Sequence, residues 1–225
     1  VGIAWLKAKP VNPISQELVR DLETVYDRAE ADPEIKSLVI ASANNAIFSA
    51  GADLKAFMSI EGDAVGEIID ATNGVFRALE TGRVTTIAAV NGMALGGGCE
   101  LAMSANVRLA GESASFGQPE INLGLVPGFG GTQRLPRLVG RTAAFEMIAS
   151  GDAISAWRAL ELGLVAEVVP DHELFDAAIA LAERLGAQPQ GAVGKSKDLL
   201  DDPTFEAGLA RERNGELAHA RAEYE

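Results

Sequence analysis

Two glutamates stand among apolar neighbours. Glu100 lies in Cys99-Glu100-Leu101-Ala102-Met103, and Glu120 follows Phe116-Gly117-Gln118-Pro119 and precedes Ile121. Two glycine-rich segments accompany them. The first, Asn91 to Glu100, carries the triplet Gly96-Gly97-Gly98 between an apolar run and a helical stretch. Such a triplet exposes backbone N–H groups, and at a helix start the dipole also favours negative charge. The second, Phe48-Ser49-Ala50-Gly51-Ala52-Asp53-Leu54-Lys55, has the same setting. Two N–H donors that converge on one point form an oxyanion hole. Two carboxylates and two donor loops are the parts needed for acid–base work on a carbonyl compound. Each part alone has a structural alternative. The triplet can be a tight turn that packs a helix on a sheet. The second loop can be a helix start with Asp53 near its positive end. A glutamate in such surroundings is usually paired or solvated. Sequence spacing does not bring the four together, so the elements around them must.

Those elements read as α/β. Ser37-Leu38-Val39-Ile40-Ala41 predicts a buried strand, followed by a loop over Asn44 to Gly51 and a helix over Ala52 to Met58. Thr85 to Val90 predicts a second strand, Asn91 to Gly98 a loop, and Cys99 to Ser104 a short helix. Val107 to Ala110 predicts a third strand, which leads through Phe116 to a loop at Glu120. Strands alternating with helices point to parallel pairing. Ahead of them, Ser15 can cap a helix with Leu18, Leu22, Val25 and Ala29 on one face. The last third is mainly helical. Ser155 caps a helix that Gly163 ends, and Asp171 caps another bearing Leu174, Ala178, Leu181 and Leu185. The organisation expected is one domain over 1–225, with an α/β core over 1–140 and a helical region over 141–225.

Several motifs fail on inspection. Gly194-Lys195-Ser196 lacks the earlier glycine of a phosphate loop, because Pro189 stands there. Gly128-Phe129-Gly130 lacks the third glycine of a dinucleotide fingerprint, and so does the pair Gly96 and Gly98; Gln133 and Leu101 occupy those positions. His172-Glu173 lacks the second histidine of a zinc helix, where Asp176 stands. With two histidines and one cysteine, Cys99, no metal site is expected. No Gly-x-Ser-x-Gly elbow occurs.

Composition narrows the partners. Lys plus Arg number 19 and Asp plus Glu 32, a net charge of −13. Nucleic acid is therefore not expected as a partner, and an anionic ligand would need local cations. A lone cysteine excludes an intrachain disulfide. No apolar run reaches the ~18 residues of a membrane span, and no signal segment is seen. A cytoplasmic location is expected.

At this level of detail the chain resembles the enoyl-CoA hydratase/isomerase, or crotonase, family. The resemblance runs through Phe48 to Leu54, Ala89-Val90-Asn91-Gly92, the glycine triplet to Met103, and Phe116 to Ile121. It continues from Gly124 through Pro127-Gly128-Phe129-Gly130-Gly131-Thr132-Gln133-Arg134 to Arg137, then over Gly151 to Ala156 and Ala159 to Val165. It covers almost the whole chain in the family's order.

The resemblance implies a spiral of β-β-α turns with a C-terminal helical region. It implies reversible hydration of a 2-trans-enoyl-CoA to the 3-hydroxyacyl-CoA in fatty acid β-oxidation. The backbone N–H groups of Ala52 and Gly97 would hold the thioester oxygen, at about 3 kcal/mol per donor in comparable holes. Glu100 and Glu120 would act on water and on the α-carbon, as a coupled pair. Gly128 would help to place the water. Ala50, Gly51, Ala52, Asp53, Leu54 and Lys55, with Gly97, would bind the substrate. Lys7, Lys9 and Lys55 are offered as cations for its phosphates. No metal or other cofactor is implied beyond the substrate's coenzyme A. The family's partners imply a homotrimer or hexamer. Double-bond isomerisation or another enolate-stabilising acyl-CoA reaction is the alternative activity, though two carboxylates favour hydration over isomerisation, and a non-catalytic acyl-CoA-binding scaffold is the alternative of another class. The segment Phe57 to Val75 and the tail would line the acyl pocket. Two departures stand out. Ala105-Asn106 replaces the family's frequent Cys-Asp pair, with an expected structural effect only. The family's terminal Glu-Gly…Ala-Phe…Arg pattern is missing before Glu225, so either the end is absent or the helical lid differs.

Overall fold

A computed structural model describes residues 1–53 and 64–200 of the chain. In chain order come β1 (Gly2–Leu6), α1 (Gln16–Ala31), β2 (Ser37–Ser42), β3 (Ile47–Ser49), α2 (Ala64–Thr81), β4 (Thr85–Val90), β5 (Met93–Leu95) and α3 (Gly97–Ser104). Then follow β6 (Val107–Gly111), β7 (Ser115–Gly117), a 3-10 turn (Pro119–Leu123), α4 (Gly131–Val139), α5 (Arg141–Ser150), β8 (Ile154–Ser155) and α6 (Ala156–Glu161). The last are β9 (Glu167–Val169), a 3-10 turn (Asp171–Glu173), α7 (Leu174–Gly186) and α8 (Gln190–Leu200).

The strands form two sheets. The larger is β1-β2-β4-β6-β9, parallel throughout. In the smaller, β3, β5 and β7 are parallel and β8 joins antiparallel to β7. Three successive strand pairs, β2-β3, β4-β5 and β6-β7, each put one strand into each sheet. The chain therefore climbs as a spiral, in agreement with the expected β-β-α turns. Strands β2 and β4 are buried along almost their full length, as parallel strands covered on both faces must be. On one face Leu174, Ala178 and Ala182 of α7 cover Val39, Ala41, Ile87, Ala89 and Leu109. The other face meets the main core, where Phe48, Phe76, Phe116 and Leu101 are fully enclosed.

The expected strands over Ser37, Thr85 and Val107 form where predicted. Ser15 caps α1, its Oγ accepting from Leu18 N–H at 3.2 Å. Ser155 caps α6 and Gly163 follows it with φ 80°. Several local readings need correction. The stretches read as loops contain β3, β5 and β7, three residues each, too short for a periodic signal. The helix read from Ala52 does not begin there, because Ala52 forms a parallel bridge to Ile14. The rest of that stretch lies outside the described residues. Asp171 does not cap α7; its Oδ1 accepts from Ser113 N–H at 3.0 Å and so ties the turn after β6. Asn106 accepts from Thr86 N–H at 2.9 Å and donates to the Glu80 carbonyl at 2.7 Å, a structural role. No helix of the described residues is long and apolar enough to cross a membrane.

Candidate active site

Glu100 lies in the first turn of α3, a helix whose residues are all buried. The helix can lie this deep because Gly98 rests on β3: any β-carbon there would collide with the Ser49 carbonyl. Glu100 is 1% exposed. Its Oε1 accepts from Phe129 N–H at 2.8 Å and from Gly131 N–H at 2.7 Å. Between the two donors Gly130 takes φ 95°, which favours glycine. Alternating backbone of this kind turns successive N–H groups onto one anion, a nest. Burial nevertheless prevails and pushes the Glu100 carboxyl up to about 7; the Glu120 charge adds to that, while the two N–H donors and Arg134 pull it down.

Glu120 opens the 3-10 turn after β7. A β-carbon on Gly96 would stand 2.9 Å from its Oε1, so the carboxylate lies against the glycine triplet. Its Oε2 is buried with no hydrogen-bond partner among the described residues. Burial raises its proton affinity as well, against a smaller pull from its own N–H. The site thus holds two carboxyls, both biased toward protonation, and close enough for the charge of Glu120 to act on Glu100.

The two glycine loops meet beside them. In the bridge to Ile14, Ile14 N–H donates to the Gly51 carbonyl at 2.8 Å and Asp53 N–H to the Ile14 carbonyl at 3.3 Å. In that parallel pattern the N–H of Ala52 points away from Ile14. The other side holds Gly97: a β-carbon on Gly51 would lie 3.4 Å from the Gly97 nitrogen. Gly97 N–H belongs to the first turn of α3, where a helix has no acceptor of its own. Gln118, fully buried, clamps this corner by donating to the Gly96 carbonyl at 3.1 Å. The Phe129 ring covers the Gly97 α-carbon and meets Phe76 edge-on, with centroids 6.1 Å apart.

The structure therefore brings together Glu100, Glu120, Gly51, Ala52 and Gly97. Gly128 is exposed beside them, and its peptide supplies the Phe129 N–H that holds Glu100. Ala50 pairs with Val11 at the rim and Asp53 follows the bridge. Leu54 and Lys55 lie outside the described residues, as do residues 57–63 of the segment expected to line the acyl pocket and the tail after Leu200. Lys7 and Lys9 are exposed on a cleft of about 1000 Å³ whose wall includes Asp53 and Ser15. Among the described residues no group of three or more His, Cys, Asp or Glu could hold a metal ion. Reasoning from sequence passed over Gln118, Phe129 and Gly131 as individuals, although each lies in a run that carries the family resemblance. It had no signal at all for Asn73, whose Nδ2 donates to the Gly128 carbonyl at 3.2 Å.

Comparison with known proteins gives a consistent pattern. The model of the family described as enoyl-CoA hydratase/isomerase matches residues 2–221. A short-chain-enoyl-CoA hydratase of Clostridium acetobutylicum is 41% identical over 198 residues, covering 87% of this chain and 75% of that protein. A crotonyl-CoA hydratase of Syntrophomonas wolfei is 39% identical over 191 residues, covering 85% and 74%. The crystal structure of an enoyl-CoA hydratase from Bacillus anthracis superposes with a TM-score of 0.88 at 34% identity, covering 96% of this chain and 83% of that one.

Proposed function

The chain belongs to the enoyl-CoA hydratase/isomerase family, and on that premise we propose that it adds water reversibly to a 2-trans-enoyl-CoA. The observation that carries the proposal is the pair of carboxyls with raised proton affinity, Glu100 buried and Glu120 half-buried, set against the triplet beside the Ala52 and Gly97 N–H groups.

Those parts support a definite sequence of events. The thioester oxygen sits on the Ala52 and Gly97 N–H groups, which draws electrons from the β-carbon. Glu100, whose Oε1 already has two N–H donors, is the better place for negative charge and accepts a proton from water. The water oxygen bonds to the β-carbon as the double-bond electrons move toward the carbonyl, forming an enolate. Glu120, whose Oε2 has no such donors, is the better place for the proton and delivers it to the α-carbon. The product is the 3-hydroxyacyl-CoA. Their different surroundings, two N–H donors at Glu100 and none at Glu120 Oε2, assign base and acid, while the titration belongs to the pair. The steps use no metal or redox group. Gly128 is assigned to helping place the water, and Ala50 to Lys55 with Gly97 complete the proposed substrate contacts. Lys7 and Lys9 on the neighbouring cleft are offered to the phosphates.

The proposal includes a cytoplasmic homotrimer or dimer of trimers. Its support is an apolar surface right after Glu120, where Val126 is 71% exposed and Phe145, on the helix that packs against the same turn, is 72% exposed.

The test is loss of enoyl-thioester absorbance when purified protein meets crotonyl-CoA. Rapid loss is expected, reduced about a hundredfold or more in Glu120→Gln and Glu100→Gln with coenzyme A affinity retained. Normal turnover in both variants would overturn the site assignment. No hydration but conversion of a 3-enoyl-CoA would move the reading to isomerase. Binding without either reaction would leave a scaffold.

A further inference from the structure

The loop that holds Glu100 is itself held from behind, at three consecutive carbonyls. The Gly128 carbonyl accepts from Asn73 Nδ2 at 3.2 Å. The Phe129 carbonyl accepts from Arg134 Nη1 at 2.9 Å. The Gly130 carbonyl accepts from the backbone N–H groups of Gln133 at 2.9 Å and Arg134 at 2.8 Å. The first and third of these carbonyls share peptide groups with the two N–H donors that face Glu100. Asn73 is therefore one peptide away from the carboxylate: its hydrogen bond to the Gly128 oxygen polarises the unit whose other end is the Phe129 N–H. Arg134 fixes the peptide between the two donors and brings a positive charge close. That charge is in turn steered by Glu80, whose Oε2 lies 3.1 Å from Arg134 Nη2. Asn73 and Glu80 both stand on α2, so one helix controls both attachments.

We propose that Asn73 and Arg134 are positioning residues, which brace the 128–131 loop from α2 and α4 and thereby fix where Glu100 points and how readily it releases its proton. The proposal rests on the reading of Glu100 as the base. Neither residue touches the reacting atoms; each acts through the loop. Among the described residues, the charged and titratable groups facing Glu100 or its brace are few. Glu120 approaches from the 3-10 turn. Arg134 comes from α4, with Glu80 and, beyond it, Arg77 from α2. Cys99 comes from α3 itself, its thiol pushed up to about 12 by burial and hence neutral. The sign of the effect follows. A donor on the Gly128 oxygen strengthens the Phe129 N–H as a donor, and stronger donors favour the carboxylate. Removing that donor raises the proton affinity of Glu100, so the acidic limb of a rate that needs ionised Glu100 moves to higher pH.

The experiment titrates Glu100 in the full chain by carboxyl-stretch infrared spectroscopy, with the band assigned through Glu100→Gln. It is paired with kcat and KM for crotonyl-CoA across pH. In Asn73→Leu the midpoint and the acidic limb are expected to rise together, by roughly half a unit. In Asn73→Asp they should rise further, because an ionised side chain cannot donate and adds repulsion. Arg134→Lys keeps the charge without the planar fork and should fall between wild type and Asn73→Leu. Above the limb kcat should recover, with KM changed by less than about twofold. An unmoved midpoint in both Asn73 variants would overturn the proposal, and so would an equal loss of kcat at every pH, the mark of a merely structural role. A moved midpoint in a protein that shows no hydration would instead reject the reading of function and leave the brace standing.

Discussion

Glu100 is caught between two influences of opposite sign. Removal from water favours its neutral form, and the nest of two N–H groups favours its charged form. Burial wins, so the folded carboxyl stands near 7 against about 4.5 when free. A carboxyl raised in this way stabilises the fold fully below about 4.5, and that contribution is lost as pH rises through about 7. Glu100→Gln, which stays neutral and can still accept both N–H bonds, should therefore gain on wild type between those values. The gain should be on the order of 3 kcal/mol by pH 8, read as a Tm difference larger at pH 8 than at pH 5. A second expectation concerns Gly131. A β-carbon there would meet the Gln118 amide and lie 2.9 Å from Glu100 Oε1. Gly131→Ala should lower kcat about a hundredfold through displacement of Glu100, visible in crotonyl-CoA turnover with folding intact by circular dichroism. Both glutamates were legible in the sequence because a carboxylate between Cys99 and Leu101, or beside Pro119 and Ile121, is out of place by composition. Asn73 was not legible, since an asparagine on a helix announces nothing until the loop opposite it is known.

At the scale of elements, α3 depends on a cation at its far end. Arg108 is buried, with Nε donating to the Leu164 carbonyl at 2.7 Å. Its Nη1 donates to the Ala105 carbonyl at 2.6 Å and to Met103 at 3.3 Å. It thus satisfies open carbonyls at the C-terminus of the helix that starts at the triplet. Burial lowers its pKa to about 10, so it remains charged at neutral pH. Arg108→Met should cost about 2–4 kcal/mol by leaving these acceptors unpaired, measurable as a lower midpoint in urea unfolding. The sequence displayed three of the five strands of the larger sheet, β2, β4 and β6, helped by the continuous apolar runs Leu38–Ala41 and Ile87–Val90, and left β1 and β9 unread. It hid the smaller sheet. Strands β3, β5 and β7 are three residues each, and their pairing is dictated by the turn of the spiral above and below, which no local pattern records.

At the scale of the molecule, the same turn that carries Glu120 runs on into exposed Leu123, Leu125 and Val126, with Phe145 beside it. If that surface is the contact between copies, a charge there should split the assembly. On the proposed trimer or hexamer, Phe145→Glu is expected to sediment as monomer and to lose activity in proportion, since the proposed contact begins next to Glu120. No local pattern announced this surface; the expectation of oligomers came from family resemblance alone.

The spiral has a consequence for how the chain reaches its fold. Gly2 pairs with Leu38, Ser37 with Thr85, and Leu109 with Glu167. Every strand pair of the larger sheet thus joins residues 20 or more apart in the chain, Ile87 and Val107 being the nearest, and none can be paired by a tight hairpin. The entropy of closing each long loop is spent before any ladder forms to offset it. Refolding should accordingly be slow, in milliseconds to seconds or longer rather than microseconds, and helix signals in stopped-flow circular dichroism should appear before Trp5 fluorescence reports its stacking on Phe175. During that interval the apolar strands β2 and β4 have no cover, which makes dilution, or a chaperone, the condition of a good yield.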